Sequence, residues 1–202
     1  MSIESPTIPA KFKKGPAWVV ATLFPEQGHW DEADFLSLNR LTNKAVELVD
    51  RRIEVLEMPT KSHQRHAAAL RDALKSFCEQ ESIQSETVLA PYPVRVKAGR
   101  FREPDVVFAF DPEHLGEDYA EKPDLVAEVV SKDRRRDLVE KRRDYAKAGI
   151  AEYWIIDQEK QQVTVLMLRA GKYVVFGEFK INERAASRVL KGFEVDVRKL
   201  VA

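Results

Sequence analysis

The stretch from Leu125 to Asp157 constrains the fold more than any other part of the chain. Leu125-Val126-Ala127-Glu128-Val129-Val130 is apolar at all but one position, the pattern of a strand covered on both faces. Arg134 to Ala148 then spaces Leu138, Tyr145 and Ala148 as one helical stripe, and Gly149 stands where a helix can end on a left-handed residue. Glu152 to Ile156 is a second apolar run, closed by Asp157. Strand, helix, strand in this order is a crossover unit joining two parallel strands, and such units are right-handed almost without exception.

The other elements are placed around this unit. Asp31 can cap a short helix to Leu38. Ala45 to Val49 and Ile53 to Leu56 read as a hairpin turning near Asp50-Arg51. Ser62 can cap a helix to Phe77, with Ala67, Leu70, Ala73, Leu74 and Phe77 at spacings of three and four. Thr87 to Leu89, Val94 to Val96 and Pro104 to Phe110 read as strands. Val163 to Leu168 and Lys172 to Phe176 read as a hairpin through Ala170-Gly171, and Val189 to Val197 as an edge element. This order predicts an α/β domain with a central mixed β-sheet flanked by helices. With 202 residues and no repeat or long linker, one domain over 31–202 is expected, preceded by a peripheral extension over 1–30.

One cysteine, Cys78, rules out an internal disulfide. No run has the length of a membrane span, and the polar, proline-rich start from Met1 to Pro16 has no signal-peptide core. A cytoplasmic protein is expected. Lys plus Arg and Asp plus Glu number 33 each, which excludes a chain basic all over. Two basic groups nevertheless flank one region: Lys132, Arg134, Arg135, Arg136, Lys141, Arg142, Arg143 and Lys147, and before it Arg95, Lys97, Arg100 and Arg102. They read either as a surface for a polyanion or as a solvated helix face plus a basic loop.

Three charges stand in apolar company. Asp105 lies in Pro104-Asp105-Val106-Val107-Phe108-Ala109-Phe110, Glu128 in the run already quoted, and Lys141 on the helical stripe with Leu138 and Tyr145. Charges are almost never fully buried unless paired or bound to a metal. Strand alternation lets Asp105 and Glu128 meet if their strands are neighbours. Two close carboxylates repel, and a divalent cation resolves the conflict. Magnesium takes oxygen ligands, typically one or two carboxylates with waters and substrate phosphates, and a backbone carbonyl near Val129 could add to the set. A lysine beside a metal-bound water can orient it and stabilise charge on a phosphorane-like transition state. The other reading of the same residues is a Glu128–Lys141 ion pair without a catalytic role, with Asp105 capping a turn. His63 and His66, three apart at a helix start, read as solvated helix-end histidines or as residues at the edge of an active site. Ser131 reads as a helix cap, and Cys78, Tyr153 and Trp154 as packing residues.

Pro104-Asp105, then Glu128, then a basic residue resembles the PD-(D/E)XK nuclease superfamily. More narrowly, Val46-Glu47-Leu48-Val49-Asp50, Glu103-Pro104-Asp105-Val106, Asp124-Leu125-Val126-Ala127-Glu128-Val129-Val130-Ser131 and the whole segment from Asp137 to Asp157 resemble its bacterial Uma-type branch of restriction endonucleases. The resemblance covers about Trp30 to Val197. It implies a restriction-endonuclease-like core, a site for magnesium (or manganese) on Asp105 and Glu128, and DNA as substrate. It also implies an assisting acid or ligand at Glu47, and His63 followed by Gln64 matches a recurring His-Gln of the branch. The chain departs from the superfamily two residues after Glu128, where Val130 replaces lysine. In the Uma-type branch the lysine moves to the following helix, a position that Lys141 fills. The expected activity is a metal-dependent endodeoxyribonuclease, with a homodimer as the natural form for cutting two strands. The alternative is a catalytically silent nuclease fold that binds nucleic acid or protein.

Overall fold

A computed structural model describes residues 25–42 and 44–202; most of the expected N-terminal extension, residues 1–24, lies outside them. The elements are α1 (Glu32–Leu41), β1 (Val46–Val49), β2 (Arg52–Val55), α2 (Lys61–Gln80), β3 (Glu86–Leu89), β4 (Val94–Lys97), β5 (Arg100–Arg102), β6 (Val106–Ala109), β7 (Leu125–Val129), a helical turn at Arg136–Lys141 continuing into α3 (Arg142–Ala148), β8 (Glu152–Asp157), β9 (Gln162–Arg169), β10 (Lys172–Lys180), β11 (Arg184–Ala186), β12 (Glu194–Asp196) and α4 (Val197–Val201).

The central sheet has six strands in the order β10-β9-β8-β7-β6-β3. Only β7 and β8, joined through α3, run parallel, Leu125 facing Glu152 and Val129 facing Ile156. The other pairs are antiparallel, so the sheet is mixed as expected. Both faces are covered. Val106, Phe108, Leu125, Ala127, Val129, Trp154 and Ile156 pack beneath α2 and α4 through Leu70, Leu74, Leu200 and Val201. Val107, Val126, Tyr153 and Ile155 pack beneath α3 through Tyr145. Two-sided burial accounts for the unbroken apolar run in β7. Buried Glu152 ties the C-terminal loop to β8. It accepts from Trp154 Nε1, Ser187 Oγ and the N–H groups of Arg188 and Val189 at 2.6–3.1 Å.

A second sheet, in the order β2-β1-β5-β4, encloses a small core of Trp30, Phe35, Val46, Leu48 and Phe101. Its hairpin turns at Asp50 and Arg51, both left-handed with φ of 49° and 61°, the conformation that matches strand twist in a two-residue turn. Strand β5 was not expected. It is three residues long, pairs with β1 only at Leu48–Phe101, and leads directly into Pro104-Asp105.

Several boundaries differ from the sequence reading. Thr60 caps α2, accepting from His63 N–H at 3.2 Å, because Ser62 Oγ bonds His66 instead. Asp105 sits in the bend before β6 rather than inside a strand. The C-terminal strand β12 pairs with β11 in its own two-stranded sheet and does not edge the central one. The helix runs from Arg134 to Ala148 as expected, but it is wound as a wider, i→i+5 turn over Arg136–Lys141, a form concentrated at functional sites. Among the described residues no helix is long and apolar enough to cross a membrane.

Candidate active site

The antiparallel register of β6 and β7 pairs Val106 with Ala127 and Val107 with Val126. One step further, it sets Asp105 beside Glu128, and Asp105 N–H still donates to the Ala127 carbonyl at 3.0 Å. Asp105 Oδ2 accepts from Val129 N–H at 2.7 Å and lies 3.3 Å from His63 Nε2. The same ring nitrogen reaches the Val129 carbonyl at 3.0 Å. His63 is therefore turned into the site by α2, which corrects its reading as a solvated helix end. His66, also expected in solvent, is buried and bonded to Ser62.

Lys141 arrives from the opposite face of the sheet. The wide turn at Arg136–Lys141 buries Asp137 and Lys141, and α3 continues the stripe with Asp144 and Tyr145. The start of the turn is held through both the side chain and the backbone of Asp137. Ser131 donates its N–H and hydroxyl to Asp137 Oδ2, each at 2.8 Å, and Tyr153 donates its hydroxyl to the Asp137 carbonyl at 2.9 Å. Ser131 thus anchors Asp137 and is not the helix cap. Lys141 Nζ lies 2.9 Å from Glu128 Oε1 and Oε2, 3.0 Å from the Glu103 carbonyl and 3.3 Å from Glu47 Oε1. Tyr145 donates to Glu128 Oε1 at 2.6 Å.

Glu47 does not reach the cleft as a ligand or acid would. It is fully buried on β1 behind Lys141, accepting from Arg102 Nη1 at 2.7 Å and Glu103 N–H at 3.0 Å. Arg102 also donates from Nε to Asp144 Oδ2 at 2.9 Å, and Asp144 accepts from Arg100 Nη1. Arg100 ends on exposed Asp50. Charges of alternating sign thus run Asp50, Arg100, Asp144, Arg102, Glu47, Lys141, Glu128. Of the basic group before Asp105, three members are consequently engaged within the protein and Lys97 is exposed. Arg100 and Arg102 are buried in this chain, and Arg95 is paired with Glu32 and Glu121.

Burial pushes the Glu128 carboxyl well up, Lys141 pulls it down, and Asp105 and Asp137 add repulsion. Asp105 is raised by burial and eased by His63 and Lys141. Burial would also raise Glu47, but Lys141 and Arg102 overcome it and hold the carboxyl below its ordinary range. Burial opposes the charge of Lys141, yet Glu128 and Glu47 hold the ammonium protonated. The site is therefore two carboxyls that resist ionisation together and one cation fixed beside them.

These groups line a cleft of about 420 Å³. Asp105, Glu128, Glu103, Lys141 and His63 form its charged floor, and Lys132, Arg136, Val55, Leu56, Met58 and Pro59 also line it. Lys132 is 88% exposed. Among the described residues no three His, Cys, Asp or Glu side chains form a ready cage for a metal ion. The donors present, two carboxylates and a backbone carbonyl, are of the hard oxygen type that magnesium takes when water and substrate complete its shell.

A family model, Uma2, described as "Putative restriction endonuclease", matches residues 32–198. The chain belongs to the Uma2 family. A solved structure, that of a putative nuclease belonging to DUF820 from Anabaena variabilis, resembles this Uma2 chain with a TM-score of 0.66 at 16% identity. The match covers 79% of this chain and 91% of that one. No curated protein matches.

The sequence missed Arg102, Asp144, Asp137 and Glu103. Asp137 and Asp144 carried a usable signal, since they lie four before and three after Lys141 on its own helical face. Arg102 carried none, because its strand is too short to show a pattern.

Proposed function

We propose that this Uma2 protein is a magnesium-dependent endodeoxyribonuclease, with Asp105 and Glu128 holding the cation. The observation that supports this most directly is the approach of Lys141 Nζ, from a helix, to within 2.9 Å of Glu128 on the floor that Asp105 shares. The position where the superfamily keeps its lysine is filled by Val130, and Lys141 provides the missing charge. The family description and the nuclease-like fold agree with the reading.

A bound divalent cation would polarise a phosphoryl oxygen and lower the pKa of a coordinated water. Lys141 places a fixed positive charge where negative charge grows on the phosphate. Its donors are already engaged by Glu128, Glu103 and Glu47, so it acts through its charge and through the orientation of Glu128. Glu47 is a positioning residue for Lys141. His63 orients Asp105, and Lys132 and Arg136 at the cleft wall offer contacts to the DNA backbone. Two copies with two clefts would cut both strands of a duplex.

The test is cleavage of plasmid and single-stranded DNA by the full chain with magnesium, then manganese. Wild type is expected to cut, and Asp105→Asn to lose roughly 10²-fold or more while still shifting DNA in a gel. Equal cutting by both would expose a contaminating nuclease and sink the proposal. Binding without cutting under either metal would establish the silent binding module instead.

A further inference from the structure

Every other buried acid around the site has hydrogen-bond partners: Glu47, Glu128, Asp137 and Asp144 each accept at least two bonds. Glu103 does not. It is 3% exposed, lines the cleft with Asp105 and Glu128, and both carboxyl oxygens are buried without a partner. The Val46 N–H lies close enough to favour its charge but makes no hydrogen bond of ordinary geometry with it. Buried polar groups are almost always satisfied, and an orphan needs a physical reason. A proton would neutralise the charge yet leave an O–H donor and a carbonyl oxygen still unpaired. The backbone of Glu103 is already fixed on both sides, its N–H by Glu47 and its carbonyl by Lys141, so the side chain is held at the cleft.

We infer that Glu103 is a third carboxylate of the divalent-cation site, joining Asp105 and Glu128. The inference rests on the cation-dependent reading above and adds a ligand to it. Among the described residues the three carboxylates are not preassembled into one cage, and three close negative charges repel one another. With a cation the same repulsion becomes attraction to a common centre, and the orphaned oxygens acquire a partner. Three carboxylates carry one more negative charge than Asp105 and Glu128 alone and raise affinity for a divalent ion accordingly.

The experiment is a titration of Mn2+ into the full chain, followed by electron paramagnetic resonance, for wild type, Glu103→Gln, Glu103→Ala and Asp105→Asn. Both Glu103 variants remove a side chain that makes no hydrogen bond, so the fold is expected to survive; circular dichroism verifies it. Wild type should bind Mn2+, Asp105→Asn should lose binding, and each Glu103 variant should bind at least about tenfold more weakly. Wild-type affinity in either folded Glu103 variant, with binding lost in Asp105→Asn, overturns the inference and leaves the nuclease reading standing. Absence of Mn2+ binding in wild type overturns both.

Discussion

Lys141→Met is expected to abolish cleavage and to destabilise the fold by about 3–5 kcal/mol. Methionine matches the length of lysine and keeps its packing on the stripe with Tyr145. What it removes is the cation between two fully buried acids, Glu47 and Glu128. Breaking a buried pair costs more than the pair contributes, because the partner is left charged and unsolvated. The variant should therefore be less unstable in acid. With Lys141 gone, the burial that already raises Glu128 loses its main counterweight, while Glu47 keeps Arg102, so at Glu128 the folded state holds more protons than the unfolded state, whose glutamates titrate near 4.5. Stability is then fully present below that value and lost as pH rises. A second change separates structure from chemistry. Glu128→Gln added to Lys141→Met should restore part of the stability and none of the cleavage, because Glu128 is the acid left without a cation. Urea melts between pH 4 and 8, paired with the plasmid assay, provide both readouts. Lys141→Met that cuts at the wild-type rate would remove Lys141 from the site.

The asymmetry between what the sequence showed and what it hid has a physical cause. Asp105, Glu128 and Lys141 were legible because each breaks an apolar pattern set by its own element, and element-level patterns are local. The central sheet was legible for the same reason. The four-stranded sheet was not, because β5 is three residues long and finds β1 across some fifty residues of chain, a pairing no local period reports. Arg100 and Arg102 consequently read as surface charge, although they are buried against Asp144 and Glu47. The wide turn at Arg136–Lys141 was also hidden, since one extra residue per turn barely disturbs a stripe of four residues. His63 was ambiguous for a different reason. A histidine in the first turn of a capped helix looks the same in sequence whether it meets solvent or, as here, a carboxylate from another strand. Glu103 stood beside the motif and inherited no signal of its own.

The buried ion chain makes a second large effect measurable away from the cleft. Arg102→Leu is expected to cost about 3–5 kcal/mol, although Arg102 does not line the cleft. Arg102 is 1% exposed and serves two acids at once, Glu47 through Nη1 and Asp144 through Nε and Nη2. Arg102→Lys keeps the charge but not the planar fork, so it can satisfy one acid and not both; its cost should fall between wild type and Arg102→Leu. The pH dependence identifies the mechanism. In wild type, Glu47 is held below its ordinary range by Lys141 and Arg102 despite burial. Its contribution is therefore present above the unfolded pKa and lost as pH falls through the lower, folded value. Removing Arg102 takes away part of that depression and should flatten the acid limb of the stability profile. Because Glu47 sets the position of Lys141 and does not itself line the cleft, Mn2+ affinity should change little while the rate of cutting per folded molecule falls. An unchanged acid limb in Arg102→Leu, or a loss of Mn2+ affinity as large as that of Asp105→Asn, would show that Glu47 is not coupled to the cleft through Lys141 alone.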